Sequence, residues 1–478
     1  MSSYEEQILA YINALTIFDG RERSKLDELA KLCSEKAYIF WRTHVGIKYL
    51  NEICHVMAFL KFIKKEDIVE LPIPKTPDDL KNEDYVMIKK FEEETHHDVG
   101  AINKFIDFYA EQHGVGEYQR LFIHIGLTSN DLNSVAYTIM FRNSLEYLME
   151  KMHDFGGIYL KLYYASININ MMSRTHGQPA VPTDLGKELR VHYDAFLNNL
   201  FLLEKCITEK RIKCKFGGAV NNLNAHRIIC DKYDWTNFMN KFVESFDFTR
   251  NKFATQIDTY ETVCNAASIL CDICDRLLAM RRMLWNYCRD EYFIQCVDKK
   301  DSKVIGSSTM PHKINPCGLE KALTFLYQCK NTFSTMKQIL SYESQEYQRN
   351  IADSSATRLT GEAFGALYVA LYSMQSDIAK FVPNTKKIKK DLIEHPVIIS
   401  EGYQVLLKLL GVKGYDIMKK HTRKTDQSEI TLDDLHNALN ETFLEINKET
   451  KHYEEIKRKL YELTPETYIG ICPNEFYD

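Results

Sequence analysis

Long proline-free stretches with a helical pattern of apolar residues constrain the fold of this chain more than any other feature. The clearest is ETVCNAASILCDICDRLLAMRRMLWNYC, residues 261–288. Its apolar seam, at spacings of three, four and seven, consists of Val263, Ala267, Leu270, Cys274, Leu277 and Leu284. This spacing is typical of a helix packed in a bundle, although Arg281 interrupts it. With similar stretches at 193–213 and 319–348 and little strand-like alternation, the sequence predicts an all-α fold.

Glycine and proline are scarce, which fits long helices with few turns. The 478 residues include 20 Gly and 11 Pro, fewer than the usual frequencies of about 7% and 5% would give. The helical pattern breaks at HGVGEY (113–118) and at FVPNTKK (381–387). These breaks predict an N-terminal helical domain (1–117), a central long-helix bundle (118–380) and a C-terminal helical domain (381–478).

Charge and cysteine usage limit the partners and the compartment. The formal net charge is −5, so a general attraction to nucleic acid or to an anionic membrane is not expected. The 13 cysteines show no paired spacing, which predicts reduced thiols and a cytoplasmic location. The N-terminus is acidic, and no apolar run approaches the ~18 residues of a membrane span. We therefore expect neither nucleic acid nor a membrane as a partner.

The segment GSSTMPHKINP (306–316) lies between two helical patterns and is the most informative one for chemistry. Its glycine, paired hydroxyls and two prolines suit a loop that orders over a ligand. Lys313 and Asn315 supply a cation and an amide for a carboxylate. Taken alone, a serine-rich segment is more often a linker than a catalytic loop. The loop is therefore a candidate that needs support from other segments.

Two further segments surround histidines with groups that support proton transfer. In SRTHGQPA (173–180), His176 lies between hydroxyl, cation and amide groups, although a hydrogen-bonded histidine in a turn is the simpler interpretation. In ETHHD, His96 and His97 precede the Asp98 carboxylate, which could fix a tautomer. No further ligand pair stands at metal spacing and HExxH is absent, so no metal is expected.

Arginines near a serine indicate an anion site. Arg349, Ser354 and Arg358 follow a long helical pattern, and Arg21 lies near the N-terminus. Such groups bind phosphate or carboxylate, but a surface charge cluster explains them equally well. The chain has neither GxGxxG after a strand nor GxxxxGK[ST]. Nicotinamide and P-loop chemistry therefore have no support, and no cofactor is expected.

Together these segments resemble the adenylosuccinate lyase family of the fumarase/aspartase superfamily. GSSTMPHKINP is similar to the superfamily's signature loop, and SRTHGQPA with the following GKE is similar to the adenylosuccinate lyase form of its histidine segment. The similarity continues in order along nearly the whole chain through THHDV, LTSNDLN, GAVNNLNAH, TQID, YQRNIADSSATR and LTPETYIG. Argininosuccinate lyases, fumarases and aspartases share the loop but typically carry THLQ-type segments where this chain has THGQ (175–178). This difference favours the purine enzymes.

The resemblance implies an all-helical homotetramer in which the central bundles form a common core and each active site is built from three subunits. It implies β-elimination of fumarate from adenylosuccinate, giving AMP, and from the succinylated aminoimidazole-carboxamide ribonucleotide (SAICAR), giving AICAR. No cofactor or metal takes part. Ser307 then corresponds to the base that removes a proton from the succinyl carbon next to a carboxylate, and His176 corresponds to the acid that protonates the departing nitrogen.

The same resemblance implies substrate-binding side chains from widely separated segments. They are Arg21, His97, Asp98, Thr128, Ser129, Gln256, Ser308, Lys313, Asn315, Arg349, Ser354 and Arg358. The arginines and the serine at 354 are expected to face the anionic groups of a small nucleotide substrate. Three positions depart from the family's pattern. Glu22 stands where a Tyr often follows the arginine, His96 replaces a frequent Asn, and Lys321 replaces an amide near the nucleotide.

Two other interpretations stay open at this point. The chain could catalyse a different elimination within the superfamily, such as argininosuccinate cleavage, which a panel of succinylated substrates would distinguish. It could also be a structural protein that reuses the fold. The joint presence of His176, Ser307, Lys313 and Asn315 argues against a scaffold, since a scaffold would not need all four.

Overall fold

A computed structural model describes most of the chain, and helices dominate it. The described residues are 4–208, 212–296, 310, 313–346, 350–423, 429–446, 448 and 451–471. Strands in this part of the chain are few and short. The predicted all-α fold is confirmed.

The helices follow one another with short connections. In the first part of the chain they are α1 (Tyr4–Ile12), α2 (Ile17–Cys33), α3 (Glu35–Phe59), α4 (Asn82–Thr95), α5 (Asp98–Gln112), α6 (Glu117–Arg120) and α7 (Ser129–Tyr164). Next come α8 (Leu185–Thr208), α9 (Asn224–Ile229), α10 (Trp235–Glu244), α11 (Glu261–Arg289), α12 (Cys317–Gln338) and α13 (Ser344–Glu346). The last are α14 (Ala352–Thr357), α15 (Thr360–Ile378), α16 (Thr385–Ile393), α17 (Ser400–Leu409), α18 (Gly414–Thr422), α19 (Leu432–Phe443) and α20 (Tyr453–Glu462).

Short strands and irregular turns complete the described chain. The strands are β1 (Asn170–Thr175), β2 (Gln178–Asp184), β3 (Lys213–Cys214), β4 (Thr249–Arg250), β5 (Phe293–Gln295) and β6 (Phe381–Pro383). β1 with β2 and β5 with β6 are antiparallel pairs, whereas β3 and β4 run parallel. Single 3-10 turns span Lys65–Asp67, Pro77–Asp79 and Pro396–Ile399, and a π-helical turn spans Ile339–Glu343.

The chain forms two compact units, each assembled from three separate segments. Unit 1 consists of Met1–Asp154, Phe196–Leu277 and Lys321–Tyr372. Unit 2 consists of Phe155–Ala195, Leu278–Glu320 and Ser373–Asp478. The three consecutive domains drawn from the breaks in the sequence stay a prediction.

Unit 1 packs around aromatic side chains that the flanking helices bury. The Phe216 and Phe242 rings stack with centroids 4.6 Å apart, and the Tyr49 ring meets Phe242 edge-on at 5.7 Å. Trp235 joins the same core, and these side chains are at most 2% exposed. Fully burying a ring of this size contributes about 2–3 kcal/mol each. This core supports the loops that carry the predicted substrate residues of unit 1.

Helix α11 contains the predicted seam, and every seam residue is buried, at most 4% exposed. The charge that interrupts the seam is satisfied, because Arg281 Nε donates to the Leu319 carbonyl at 2.8 Å. The helix predicted over 193–213 is described as far as Thr208, and at the far end of the predicted range Lys213–Cys214 pair with Thr249–Arg250 as strands. Backbone pairing with β4 outweighs the helical pattern at this end.

Unit 2 has a smaller apolar core built on the last helices and on one face of β1. Met172 of β1 is buried in the same cluster as Ile399, Tyr403, Leu407 and Leu439. Along β1 the burial falls from the base of the hairpin to its tip, and residues 174–178 are exposed. The hairpin is therefore anchored at its base and presents its tip to the surroundings.

Candidate active site

The predicted site residues fall on both units. Unit 1 contains Arg21, His97, Asp98, Thr128, Ser129, Gln256, Ser354 and Arg358, and unit 2 contains His176, Lys313 and Asn315. Ser307, Ser308 and Arg349 lie outside the described residues. Most of the signature loop, 306–316, lies there as well.

His97 is held by the start of α5. It is the N-cap residue of that helix, and its Nδ1 accepts a hydrogen bond from the Gly100 N–H at 3.0 Å. Its Nε2 lies 3.4 Å from Ser129 Oγ. Because Nδ1 accepts, a neutral His97 ring carries its proton on Nε2, on the side of Ser129. His96 adopts a left-handed backbone conformation, with φ +51°. Asn and His are both enriched in this conformation, so a His in place of the family's frequent Asn fits the backbone here.

Asp98 is paired with a buried arginine that the sequence analysis missed. Arg42 of α3 donates from one terminal nitrogen to Asp98 Oδ2 at 2.7 Å, and its Nε donates to Asn133 Oδ1 at 2.8 Å. Its guanidinium lies 3.6 Å from the centroid of the Tyr38 ring. Burial alone would raise the pKa of Asp98, but the charge of Arg42 and the hydrogen bonds outweigh it and lower that pKa. The carboxylate beside His97 is therefore ionised at neutral pH.

A cavity of about 350 Å³ borders this ion pair. Its polar part includes the predicted substrate residue Arg358 together with Arg42, Thr360 and the carboxylates of Glu35, Glu92 and Asp98. Its apolar part is lined by Ile88, Ile102, Met140 and Phe141. The arrangement combines charged groups of both signs with an apolar wall, as small-molecule sites do.

A buried ion pair fixes the turn that carries Thr128 and Ser129. Asp131 Oδ2 accepts from the Thr128 N–H at 2.8 Å, and Oδ1 accepts from Lys215 Nζ at 2.9 Å and from the Gly217 N–H at 2.8 Å. The Asp131 and Lys215 side chains are fully buried. A buried pair of this kind is retained only when hydrogen bonds satisfy both charges, as here. The start of α7 is therefore tied firmly to residues 215–218.

A second buried group joins three segments that carry predicted substrate residues. Asn130 Nδ2 donates to Asp353 Oδ2 at 3.1 Å, and Asn130 Oδ1 accepts from the Asp258 N–H at 3.0 Å. Tyr260 Oη also donates to Asp353 Oδ2, at 3.3 Å. Asn130, Asp258 and Asp353 are at most 6% exposed. In the chain they lie within two residues of Ser129, Gln256 and Ser354, respectively. The network therefore brings the predicted substrate residues of these segments to one region of unit 1.

The remaining predicted residues of unit 1 are accessible. Gln256 and Ser354 are half-buried, and Arg21 and Arg358 are exposed. Two of the residues that depart from the family pattern contact each other, because Lys321 Nζ donates to the Glu22 carboxylate. That contact was not expected from the sequence.

His176 occupies the tip of the β1–β2 hairpin. Thr175 pairs with Gln178, so His176 and Gly177 form a two-residue loop, and their φ angles are +52° and +74°. Positive φ at both loop positions is what the tight turn of a twisted hairpin requires. The sequence analysis considered a turn at His176 but did not predict the two strands that flank it. His176 is exposed at the tip, where its ring can reach a ligand.

The described end of the signature loop is fixed at the start of α12. Lys313 is exposed and Asn315 is half-buried. One turn later, the Leu319 N–H donates to Asp377 Oδ2 at 2.8 Å. A Cβ on Gly318 would lie 2.1 Å from the Ser373 carbonyl oxygen, so only glycine fits this approach. Within unit 2, the close contact fixes the first turn of α12, which follows Lys313 and Asn315 in the chain.

In the described part of the chain, no group of three or more His, Cys, Asp or Glu side chains is arranged to hold a metal ion. None of the described helices is long and apolar enough to cross a membrane.

Comparisons with known protein families and sequences cover the chain almost completely. A family model described as "Lyase" matches residues 67–329, and one described as "Adenylosuccinate lyase C-terminal" matches residues 345–469. The chain is 31% identical to adenylosuccinate lyase from Dictyostelium discoideum over 494 aligned positions, which cover 99% of this chain and 100% of the relative. It is 29% identical to adenylosuccinate lyase from Legionella pneumophila, covering 97% of this chain and 98% of that protein.

Solved structures share the fold at lower identity. Fumarate lyase from Mesorhizobium sp. BNC1 superposes with a TM-score of 0.69 at 16% identity, covering 93% of this chain and 95% of that one. The β-carboxy-cis,cis-muconate cycloisomerase from Acinetobacter calcoaceticus superposes with a TM-score of 0.67 at 14% identity over the same shares. These likenesses support the fold and do not select a substrate.

Proposed function

Because the chain belongs to the adenylosuccinate lyase family of the fumarase/aspartase superfamily, we propose that it eliminates fumarate from adenylosuccinate to give AMP, and from SAICAR to give AICAR. It is a carbon–nitrogen lyase. The observation that carries the substrate assignment is the alignment with the Dictyostelium adenylosuccinate lyase, which covers 99% of this chain and 100% of the relative. Both substrates carry a succinyl group on nitrogen, so one set of catalytic groups serves both.

The geometry of unit 1 supports a site for a nucleotide with several negative charges. The buried network through Asn130, Asp258 and Asp353 gathers the segments that carry Ser129, Gln256 and Ser354. The cavity beside Asp98 and Arg358 offers both charged and apolar walls. Cationic and hydroxyl groups of this kind bind phosphate and carboxylate, and the apolar wall suits a purine or imidazole ring.

The first step of the proposed reaction is removal of a proton by Ser307. The serine oxygen takes the proton from the succinyl carbon next to a carboxylate, and the C–H electron pair moves into that carboxylate to give an aci-carboxylate. A serine hydroxyl is a poor base in water, so nearby positive charge must favour its deprotonated form. Lys313, which is exposed at the described end of the loop, supplies such a charge. With Asn315 it would stabilise the extra charge of the intermediate more than that of the substrate.

The second step is departure of the nitrogen. The electron pair of the aci-carboxylate returns to form the fumarate double bond, the C–N bond breaks, and His176 donates a proton to the leaving nitrogen. An imidazole ring can both carry and release a proton, which is what a general acid requires. The exposed position of His176 at the hairpin tip supports this role, because the ring is not committed to the core of unit 2.

We further propose that the enzyme works as a cytoplasmic homotetramer with active sites shared between subunits. The scattered cysteines, free in the described part of the chain, support a reducing compartment. No resident metal or cofactor is part of this proposal.

The proposal is tested by a substrate panel. Purified protein is incubated separately with adenylosuccinate, SAICAR and argininosuccinate, and fumarate is followed by its absorbance. We expect turnover of the first two and no turnover of the third. Turnover of argininosuccinate with none of adenylosuccinate would assign the chain to a different elimination.

A further inference from the structure

Glu22 lies at the centre of a charged contact between α2 and α12. One carboxylate oxygen accepts from Lys321 Nζ, and the other accepts from Lys25 Nζ at 2.6 Å. The Glu22 side chain is 2% exposed, whereas those of Lys25 and Lys321 are about one-third exposed, at 31% and 33%. A buried carboxylate is therefore fully occupied by two cations that reach it from the surface.

Aromatic contacts extend this junction. Phe18, one turn before Glu22, meets Phe325, one turn after Lys321, with ring centroids 5.1 Å apart. Lys321 Nζ lies 5.7 Å from the same Phe325 ring. The ion pair and the ring pair together hold α2 against α12 over two successive turns. Lys321 itself lies one turn into α12, the helix that follows the signature loop in the chain.

Burial and the two lysines have opposite effects on the pKa of Glu22. Burial would raise the pKa of Glu22, but the hydrogen bonds and charges of Lys25 and Lys321 outweigh it and lower that pKa. Glu22 is therefore a carboxylate at neutral pH. Removing one of the two lysines would leave a buried negative charge with half of its compensation, which is costly.

Arg21 is left unpaired by this arrangement. The cations on α2 are Arg21, Arg23, Lys25 and Lys31. Arg23 pairs with Asp19 and Asp27, Lys25 with Glu22, and Lys31 with Glu28. Arg21 is exposed and has no hydrogen bond or ion pair within the described part of the chain.

The neighbouring carboxylate does not neutralise Arg21. Successive residues on a helix do not face each other, and both oxygens of Glu22 are already taken by Lys25 and Lys321. The pairing thus leaves the charge of Arg21 available to an anion from outside the chain.

We propose that Glu22 and Lys321 act as one positioning unit that fixes α2 against α12 and keeps Arg21 free to bind an anionic group of the nucleotide substrate. The two positions are far apart in the sequence, yet they form one contact in the structure. Neither residue needs to touch the substrate for this role. The inference rests on the proposed function, since it assumes a nucleotide substrate.

A double-mutant cycle tests this unit. KM and kcat for adenylosuccinate are measured for wild type, E22Q, K321Q, E22Q/K321Q and K321R, with Tm recorded for each. We expect E22Q and K321Q each to raise KM about tenfold, the scale of one charge-assisted hydrogen bond, with kcat changed less than about twofold. The KM of the double variant should also rise about tenfold, and not about a hundredfold, because the two residues act as a unit. K321R keeps the charge and should stay within about twofold of wild type in KM.

A matched control pair lies on the same helix. Lys330 of α12 bonds Asp275 of α11 at 2.6 Å, with 34% and 45% exposed side chains. K330Q should leave KM within about twofold of wild type, because a surface pair contributes little. A fall in Tm for E22Q and K321Q with unchanged KM would overturn the proposal in favour of a purely structural contact. Additive KM effects in the double variant would overturn the claim that the two residues act together.

Failure of the proposed function gives a different result. If wild type does not turn over adenylosuccinate, the lyase assignment fails, and the Kd of adenylosuccinate measured by calorimetry for the same variants then tests the positioning unit alone. A tenfold weaker Kd in E22Q and K321Q would support it. Equal Kd values, or no binding to wild type, would overturn it.

Discussion

At the residue scale, the account depends most on Ser307, which the family resemblance identifies as the base. Ser307→Ala should lower kcat by about 10³-fold or more, because no other group takes over the proton transfer. KM should change little, since the base acts in the transition state more than in binding. Steady-state kinetics, with Tm as a check on folding, give the answer. A near-normal kcat would make Ser308 the candidate base instead.

A buried histidine in unit 1 predicts pH-dependent stability. His226 is fully buried, its Nε2 lies 2.8 Å from Tyr49 Oη, and burial lowers its pKa from 6.5 to about 4. In the unfolded chain the histidine binds a proton below about pH 6.5, whereas in the folded chain it stays neutral down to about pH 4. Stability from this group is therefore complete above pH 6.5 and is lost as the pH falls through this window. By pH 5.5 the loss is about 1 kcal/mol.

The measurement compares Tm at pH 7.5 and pH 5.5 for wild type and His226→Gln. The variant lacks the titrating group, so its Tm should fall less on acidification than that of wild type. Equal falls in both proteins would show that His226 does not contribute to the acid sensitivity.

The sequence identifies some residues of the candidate site and does not identify others. His97, Asp98 and Ser129 were predicted through the resemblance, and the structure brings them within contact distance. Arg42 and Lys215 were not predicted, because a charged residue in an apolar helix or before a glycine pair has no local pattern that reveals its buried partner. The sequence signal for Arg42 is a cation within FWRTHVGIKYL, a segment in which most residues are apolar.

At the element scale, the junction of α3, α5 and α7 depends on Arg42. Arg42→Met should destabilise the protein by about 3 kcal/mol, because it leaves Asp98 and Asn133 without their buried partner. Asp98 should also lose much of the interaction that lowers its pKa. Tm and the pH dependence of kcat/KM report the two effects.

A less buried arginine in the same unit, Arg120, provides the control, because its side chain is 17% exposed against 6% for Arg42. Arg120 pairs with Asp107 and Glu111, whose side chains are 51% and 61% exposed. Arg120→Met should cost less than about 1 kcal/mol, as expected for pairs open to solvent. Equal losses of stability in the two variants would mean that the pair at Asp98 is no stronger than a surface contact.

Elements with strong periodicity were predictable, and those fixed by tertiary contacts were not. The buried seam of α11 is predicted correctly, because its six apolar residues repeat with a single helical period. The β1–β2 hairpin is not predicted because β2 contains Pro179 and Pro182, which weaken a strand pattern. The sequence predicts helix as far as residue 213, whereas Lys213–Cys214 form β3. The helical pattern does not reveal this strand, because its pairing with β4 is a contact between distant segments. The periodicity of apolar residues indicates which face of a segment is buried, but it does not indicate which distant segment pairs with it.

At the scale of the whole molecule, the shared-site prediction follows from resemblance and from the length of the helices. The segments of His97, His176 and Ser307 are separated by long helices, and α7 alone has 36 residues, which corresponds to about 54 Å. Neighbouring subunits in a symmetric tetramer can supply the missing loops. Amphipathic periodicity cannot distinguish a seam within one chain from a seam between chains.

Complementation between inactive variants tests the shared site. His176→Ala and Ser307→Ala proteins, each inactive alone, are unfolded together and reassembled. If the two residues of a site come from different subunits, random mixing gives each site about a one-half chance of each intact residue, so roughly a quarter of wild-type activity should return. Mixed tetramers seen by native mass spectrometry but without recovered activity would show that acid and base belong to one subunit.

The most direct test of the central claim is turnover of adenylosuccinate by the purified wild-type chain. The products are quantified by chromatography, and the metal-free protein is assayed with EDTA present. The account predicts AMP and fumarate in equal amounts, with no dependence on added metal. Absence of both products under conditions in which the protein is folded would contradict the account.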